Sequence, residues 1–276
     1  MKLIESKVEV IEQLPGLEGI YKHIERIGRT CYKSEDKITE DSAKGFVDRM
    51  INSKHGAMLE HGTVYLKFYN TEERLSEYTY EDSTYMGLFY SKNKYSKVKR
   101  VDKTMYVTTN LRVLVENNRL DDLRWICEPT EHHEKRITAK FTTDRGVSHE
   151  IVRHRTMSFA QESQRYVGYD KERFGNEIVF VKPHWYDEEF PACLTWIESL
   201  KDAEKRYMEL REAGLKPQDA RGVLPNATKT EIVVTGFYSD WEHFFDLRAI
   251  GTTGAPHPDI KKLAVELQEK LNSVNK

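Results

Sequence analysis

The chain has 276 residues, enough for one large or two ordinary domains, and its 43 Lys and Arg nearly balance 45 Asp and Glu. A field this close to neutral argues against a protein that coats nucleic acid, so phosphate recognition would have to come from a local pocket. Three scattered cysteines with no Cys-x-x-Cys pair fit a reducing compartment and exclude a cysteine-based zinc site, and no apolar run approaches a membrane span of ~18 residues. The first residues mix acids with apolar positions, unlike a signal peptide, so the expectation is a cytoplasmic protein with no membrane or nucleic-acid partner.

Residues 7–14 alternate apolar positions and read as a strand stopped by Pro15-Gly16. Leu17, Ile20, Ile24, Ile27 and Cys31 recur at helical spacing, and a second helix is predicted over 39–53 with Phe46, Val47, Met50 and Ile51 inward. Val64, Leu66 and Phe68 mark a strand. Residues 70–104 are polar and tyrosine-rich and read as an insertion of weak regular structure, the whole interruption extending over about 70–137. A short strand at 105–109, short helices at 111–116 and 120–126, and a strand near 138–142 follow. GVSHEIV reads as a helix running into Arg153-His154-Arg155.

Residues 177–183 form a strand, 194–210 a long helix ended by Gly214, and 217–223 a short helix. A β-branched strand, TEIVVTGFY, precedes a helix capped by Ser239, and a last helix from Pro258 buries Ile260, Leu263, Leu267 and Leu271. The elements lack the regular βαβ rhythm. One α+β domain spanning 1–276, a mixed sheet packed by helices, is the fold expected.

Three constellations carry chemistry. Arg153, His154 and Arg155, with Ser163 and Arg165 close behind, concentrate guanidinium forks that match phosphate oxygens, or else form a solvated basic face. Arg221 stands in ARGVLPNAT. His243 and Arg248 lie on an aromatic helix, where Phe244 and Arg248 share a face. A cation there is costly unless it meets an anion, either a carboxylate of the chain or a ligand. Glycine-rich dinucleotide and P-loop motifs are missing, and His132-His133 and His149-Glu150 lack partners at metal-ligand spacing, so no metal is expected.

RHRTMSFAQES, with seven residues between the Arg-His-Arg and Ser163, resembles the signature of flavin-dependent thymidylate synthases. GRTCYKS, LEHGTVYLKF, HEIVRHR, SQRYV, ARGVLPNATKTEIVVTG and HFFDLRA resemble further blocks of that family in the same order. The resemblance implies a homotetramer with active sites at subunit interfaces. The implied reaction methylates dUMP to dTMP with FAD, NADPH and 5,10-methylenetetrahydrofolate.

By the same resemblance, FAD contacts fall on His61, Thr63, Arg153, His154, Arg155, Gln161 and His243. The nucleotide falls to Glu150, Arg153, Gln161, Glu162, Ser163, Gln164, Arg165, Arg221 and Arg248, with Arg248 catalytic at the uracil ring. No Pro-Cys-Gln context surrounds Cys193, which reads as structural, so no cysteine nucleophile is expected. Phe237-Tyr238-Ser239 replaces the Asn-x-Arg common in the family, while Asn110 and Arg112 offer a similar pattern inside the insertion, as coincidence or as a loan to a neighbouring site. The competing readings are an inactive relative and a nucleic-acid-binding protein using the arginine cluster.

Overall fold

The computed structural model describes residues 1–69, 87–170 and 175–274. Its centre is a four-stranded antiparallel sheet in the order β2 (Lys7–Ile11), β6 (Arg136–Asp144), β9 (Lys229–Phe237), β7 (Ser158–Gln161). Period-two alternation sends the two sets of side chains to opposite faces. Val8, Ala139, Phe141, Ile232 and Val234 point to one face. Trp241, Phe244 and Phe245 of one helix and Ile260, Leu263, Leu267 and Leu271 of the last helix close over them. Val233 and Ala160 point to the other face, packed by Ile20, Ile24 and Ile27.

Among the described residues, helices include α1 (Gly16–Tyr32), α2 (Ser42–Asn52), α3 (Gly56–Leu59), α4 (Leu111–Glu116), α5 (Arg145–Ile151), α6 (Pro191–Glu212), α7 (Pro217–Ala220), α8 (Tyr238–Phe245) and α9 (Pro258–Val274), and residues 87–92 are helical as well. Most lie within a few residues of the expected bounds, and the long helix does end at Gly214, whose φ is +90°. No helix among the described residues is long and apolar enough to cross a membrane.

Two expectations need correction. The single mixed sheet is three sheets: the antiparallel one above, an antiparallel trio β3 (Thr63–Tyr69), β5 (Thr104–Asn110), β4 (Lys97–Val101), and a parallel pair of β1 (Lys2–Ile4) with β8 (Val179–Val181). The reason is that β3 spends its ladder on β5, from Thr63↔Asn110 to Tyr69↔Thr104, and not on β6.

The second correction concerns residues 87–104, where a helix at 87–92 and the strand Lys97–Val101 replace the weak regular structure expected; the strand near 105–109 and the helix at 111–116 lie at the positions expected. Residues 97–110 form an antiparallel hairpin. Tyr90, Val107, Leu111, Val113 and Leu114 enter the same core as α1 and α2. Tyr90 is fully buried because its hydroxyl donates to Asp122 at 2.7 Å, satisfying the one polar atom its ring carries inward. Residues 70–86, which belong to the same expectation, lie outside the described residues.

Local chemistry sets the approach to the site. Asp144 caps α5 by accepting from the Val147 amide at 2.9 Å. At α8 the expected Ser239 cap is replaced: the helix starts two residues earlier, at Tyr238, and Asp240 accepts from the Phe237 amide at 3.0 Å. Ser239 Oγ instead donates to Glu134. Past Phe245 the helix widens into a π-turn, Asp246–Ile250, closed by the Gly251 amide on the Asp246 carbonyl at 2.9 Å. Gly251 has φ +83°, a left-handed conformation that glycine adopts without the Cβ penalty.

Candidate active site

The short helix α5 is the spine of the site. At its C-terminal end, Glu150 receives two bonds from Arg248: Nη1 to Oε2 at 2.6 Å and Nη2 to the carbonyl at 3.2 Å. Arg248 Nε donates to His154 Nε2 at 3.3 Å. Phe244, one turn before Arg248, packs edge-on against the same imidazole at 4.9 Å, so the shared helix face meets one partner. Of the five N–H groups on a guanidinium, three are used here and two remain.

Accepting at Nε2 puts the His154 proton on Nδ1. Burial, with help from Arg248 and His243, holds the ring neutral by lowering its pKa to about 4. The charge in Arg-His-Arg therefore resides in the arginines alone. His243, exposed, has its ring 6.0 Å from that of His154.

Further along α5, Ser148 accepts from Gln161 Nε2 at 2.9 Å, and Thr230 accepts from the same amide nitrogen at 3.1 Å. Next to Gln161, Glu162 is buried and takes Lys229 at 2.8 Å. Lys33 and Lys229 both reach Glu231, at 2.7 and 2.9 Å. Burial opposes the Glu231 charge, but Lys229 and Lys33 outweigh it and pull its pKa down to about 2. For Lys229 burial likewise works against the charge, and Glu162 and Glu231 outweigh it, raising the pKa. Ser163 is held through its amide to the Cys31 carbonyl at 3.0 Å, and Gln164 is buried.

The guanidinium groups of Arg153, Arg155 and Arg221, all exposed, make no hydrogen bond or ion pair among the described residues. Arg165 lies over the Tyr166 ring at 5.5 Å, with no carboxylate partner among the described residues. One group escaped sequence reasoning. Arg145, at the first position of α5, is lowered in pKa by burial and feels Tyr169, Arg221 and Glu162, which places another cation beside Arg221. Its signal was a position in the turn entering α5, eight residues before Arg153.

His61 and Thr63 do not join this group. Both are buried on the α1 face of the sheet, where His61 Nδ1 bonds Thr235 Oγ1 at 2.8 Å. Thr235 bonds Thr138 at 2.8 Å and Thr138 bonds His23 at 3.1 Å. Burial first, then neighbouring charges, lowers His61 to about 3 and His23 to about 4. Arg136 completes that side, donating to the Glu60 carbonyl at 2.9 Å, and it lines a cavity of about 380 Å³ with Gln13, Thr63 and Tyr65.

Asn110 and Arg112 have other duties. Asn110 caps α4, accepting from the Val113 amide at 3.1 Å, and Arg112 is paired with Glu60 and Glu116. Cys193 is fully buried, its sulfur accepting from the Asp187 amide at 3.3 Å.

Residues 127–275 match the family model described as thymidylate synthase complementing protein. The chain belongs to this family. The matched part holds α5, the Arg-His-Arg segment, Arg221 and Arg248, while GRTCYKS and LEHGTVYLKF lie before it. Flavin-dependent thymidylate synthases of Mycobacterium avium (strain 104) and Mycobacterium marinum (strain ATCC BAA-535 / M) are 38% identical over 146 residues, covering 47% of this chain and 54% of theirs. That of Mycobacterium tuberculosis (strain ATCC 25618 / H37Rv) is 38% identical over 141 residues.

The chain spans about half the length of the curated relatives it matches. A UMP/dUMP methylase, PolB from Streptomyces cacaoi, solved with 5-Br dUMP, aligns over 99% of this chain and 93% of its own. The TM-score is 0.47 and the identity 16%, a likeness on which nothing further rests.

Proposed function

We propose that this chain methylates dUMP to dTMP, taking carbon from 5,10-methylenetetrahydrofolate and electrons from NADPH by way of FAD. The observation that carries the reading is a set of arginines, Arg153, Arg155, Arg165 and Arg221, that meet no carboxylate among the described residues. A structural cation is normally paired or hydrogen-bonded; a planar fork left open suits phosphate. The nucleotide phosphate and the FAD pyrophosphate are anions of that kind, so the donor set fits both.

Arg153, Arg155, Gln161 and His243 would hold FAD, with neutral His154 offering an N–H donor and no charge. When bound, FAD supplies the reducing electrons that turn the transferred carbon into a methyl group. Ser163, Arg165, Arg221 and Arg145 would hold the nucleotide phosphate. Glu162, committed to Lys229, shapes that pocket from behind, and Gln164 beside it is buried. Arg248 would use its two spare N–H groups on the uracil carbonyls, stabilising negative charge as the ring nitrogen between them loses its proton. Glu150 fixes the guanidinium plane for this.

Several of these arginines are exposed on open surface. This supports a site completed by another subunit of a homotetramer. Cys193, buried and hydrogen-bonded as an acceptor, has no part in the chemistry proposed.

Purified protein tests the reading directly. It should be yellow, its flavin absorption should bleach with NADPH, and dUMP with methylenetetrahydrofolate should then yield dTMP. A colourless protein that gains no flavin spectrum on adding FAD would overturn it.

A further inference from the structure

A second cluster lies apart from Arg248. His184 in the loop leaving β8, His257 just before α9 and Asp259 in its first turn converge, although His184 and Asp259 are 75 residues apart in the chain. His184 Nδ1 is 3.4 Å from one Asp259 oxygen and His257 Nδ1 is 3.7 Å from the other. One donor atom from each residue lies within 4.8 Å of the rest. These separations exceed a good N–H···O hydrogen bond of about 2.7–3.2 Å. They approach the edges of a tetrahedral shell, because bonds of about 2.0–2.1 Å set neighbouring ligand atoms roughly 3.3 Å apart.

The carboxylate is already oriented: the His184 amide donates to Asp259 at 2.7 Å. The two imidazoles meet edge to face with centroids 5.6 Å apart and remain exposed, so small ring rotations close the shell. The Asp259 amide donates to His257 Nδ1 at 3.3 Å, a long bond that a metal could displace. We propose that His184, His257 and Asp259 form a binding site for a zinc-class divalent ion. Two imidazoles and one carboxylate suit zinc and its transition-metal neighbours, whereas calcium and magnesium take oxygen shells.

Three protein ligands leave a fourth position open to water or a ligand oxygen. His257 and Asp259 line a cavity of about 340 Å³ together with Trp185, Trp196, Asp144 and Glu150. A bound ion would pin the 184–190 loop to α9 and fix the tryptophan wall of the cavity that holds the partner of Arg248. The positive end of α9 works against a cation here, and Asp259 offsets it, so moderate affinity is expected.

Zinc itself is the probe. Chelator-stripped full-length protein, titrated with Zn²⁺ by calorimetry, should take up one equivalent that both His184→Ala and His257→Ala weaken at least about tenfold. Both side chains are exposed, and circular dichroism melting verifies that each variant is folded. Co²⁺ in place of Zn²⁺ should give tetrahedral visible bands in the parent and lose them in each variant. Absence of a stoichiometric site, or zinc uptake equal in parent and variants, overturns the proposal. Neither result bears on flavin binding or dTMP formation, so the two readings fail separately.

Discussion

On the α1 face of the central sheet, His23, Thr138, Thr235 and His61 run as a buried chain of hydrogen bonds, with His23 Nδ1 and His61 Nε2 unpartnered among the described residues at its two ends. On the α8 face, Arg248, Glu150 and His154 stand beside segments whose guanidinium groups meet no acceptor among the described residues. Histidine is kept neutral on both faces by burial. The faces differ in their cations. Arg136 also has no carboxylate partner among the described residues, and burial lowers its pKa to about 10, yet it spends donors on the Glu60 carbonyl and on Thr63 and Ser158 hydroxyls. Unpartnered donors occur on both faces, since Arg136 Nε is buried without an acceptor among the described residues; on the α8 face they are exposed guanidinium groups flanking His154.

The sharpest test of that contrast is Arg248→Ala. It should lower kcat for dTMP formation about 10²–10³-fold, the usual loss for a single charge-stabilising donor, while the lost bonds to Glu150 and His154 cost only about 1–3 kcal/mol of stability. An equal collapse of stability would make Arg248 a structural cation and erase the distinction. On the α1 face, His61→Ala should cost about 2–3 kcal/mol in urea unfolding, from the cavity and the lost bond to Thr235. The folded fraction should keep kcat within a few-fold; a large kcat loss would bring His61 into the chemistry after all.

Acid should also act on the α1 face. His23 and His61 titrate lower in the folded protein than the usual 6.5, so between pH 6.5 and about 4 the unfolded chain binds more protons. Their contribution is complete above pH 6.5 and is lost as pH falls through that window, at a slope of order 1 kcal/mol per pH unit for each histidine. His23→Gln should flatten the measured slope by roughly one proton; an unchanged slope would place the titration elsewhere. The smallest effect is expected at Cys193→Ala, with dTMP formation within about twofold and a stability loss of about 1 kcal/mol from the vacated volume. Loss of activity beyond that would contradict the cysteine-free reading.

Much of the fold is legible because its signals are local. The β-branched run in TEIVVTGFY and the spacing of Ile260, Leu263, Leu267 and Leu271 report burial directly. Those residues are buried, apart from Glu231 and Tyr238 of the strand segment, which are half-buried. Strand partnership is not local. Nothing in TVYLKFY says that it pairs with residues 104–110 and not with β6, and the three-sheet arrangement stays hidden for that reason. In the site, the shared face of Phe244 and Arg248 follows from helix geometry, and both meet His154. The Glu150–Arg248 pair spans 98 residues, so a carboxylate partner could be imagined but not named. The His184–His257–Asp259 cluster escapes for the same cause, since spacing along the chain carries no signal when a long helix and a strand lie between the ligands.

The π-turn at Asp246–Ile250 makes chain length at this point a matter of register. Its closing bond, Gly251 to Asp246, encloses one residue more than an α-turn would. Deleting a single residue there would let the helix regain ordinary pitch, and the backbone would tolerate the change easily. The side chains would not, because each residue turns the helix by about 100°, enough to carry a guanidinium off one imidazole and onto another face. Surface loops absorb insertions and deletions; this turn counts residues, and the pairing of Arg248 with His154 depends on the count.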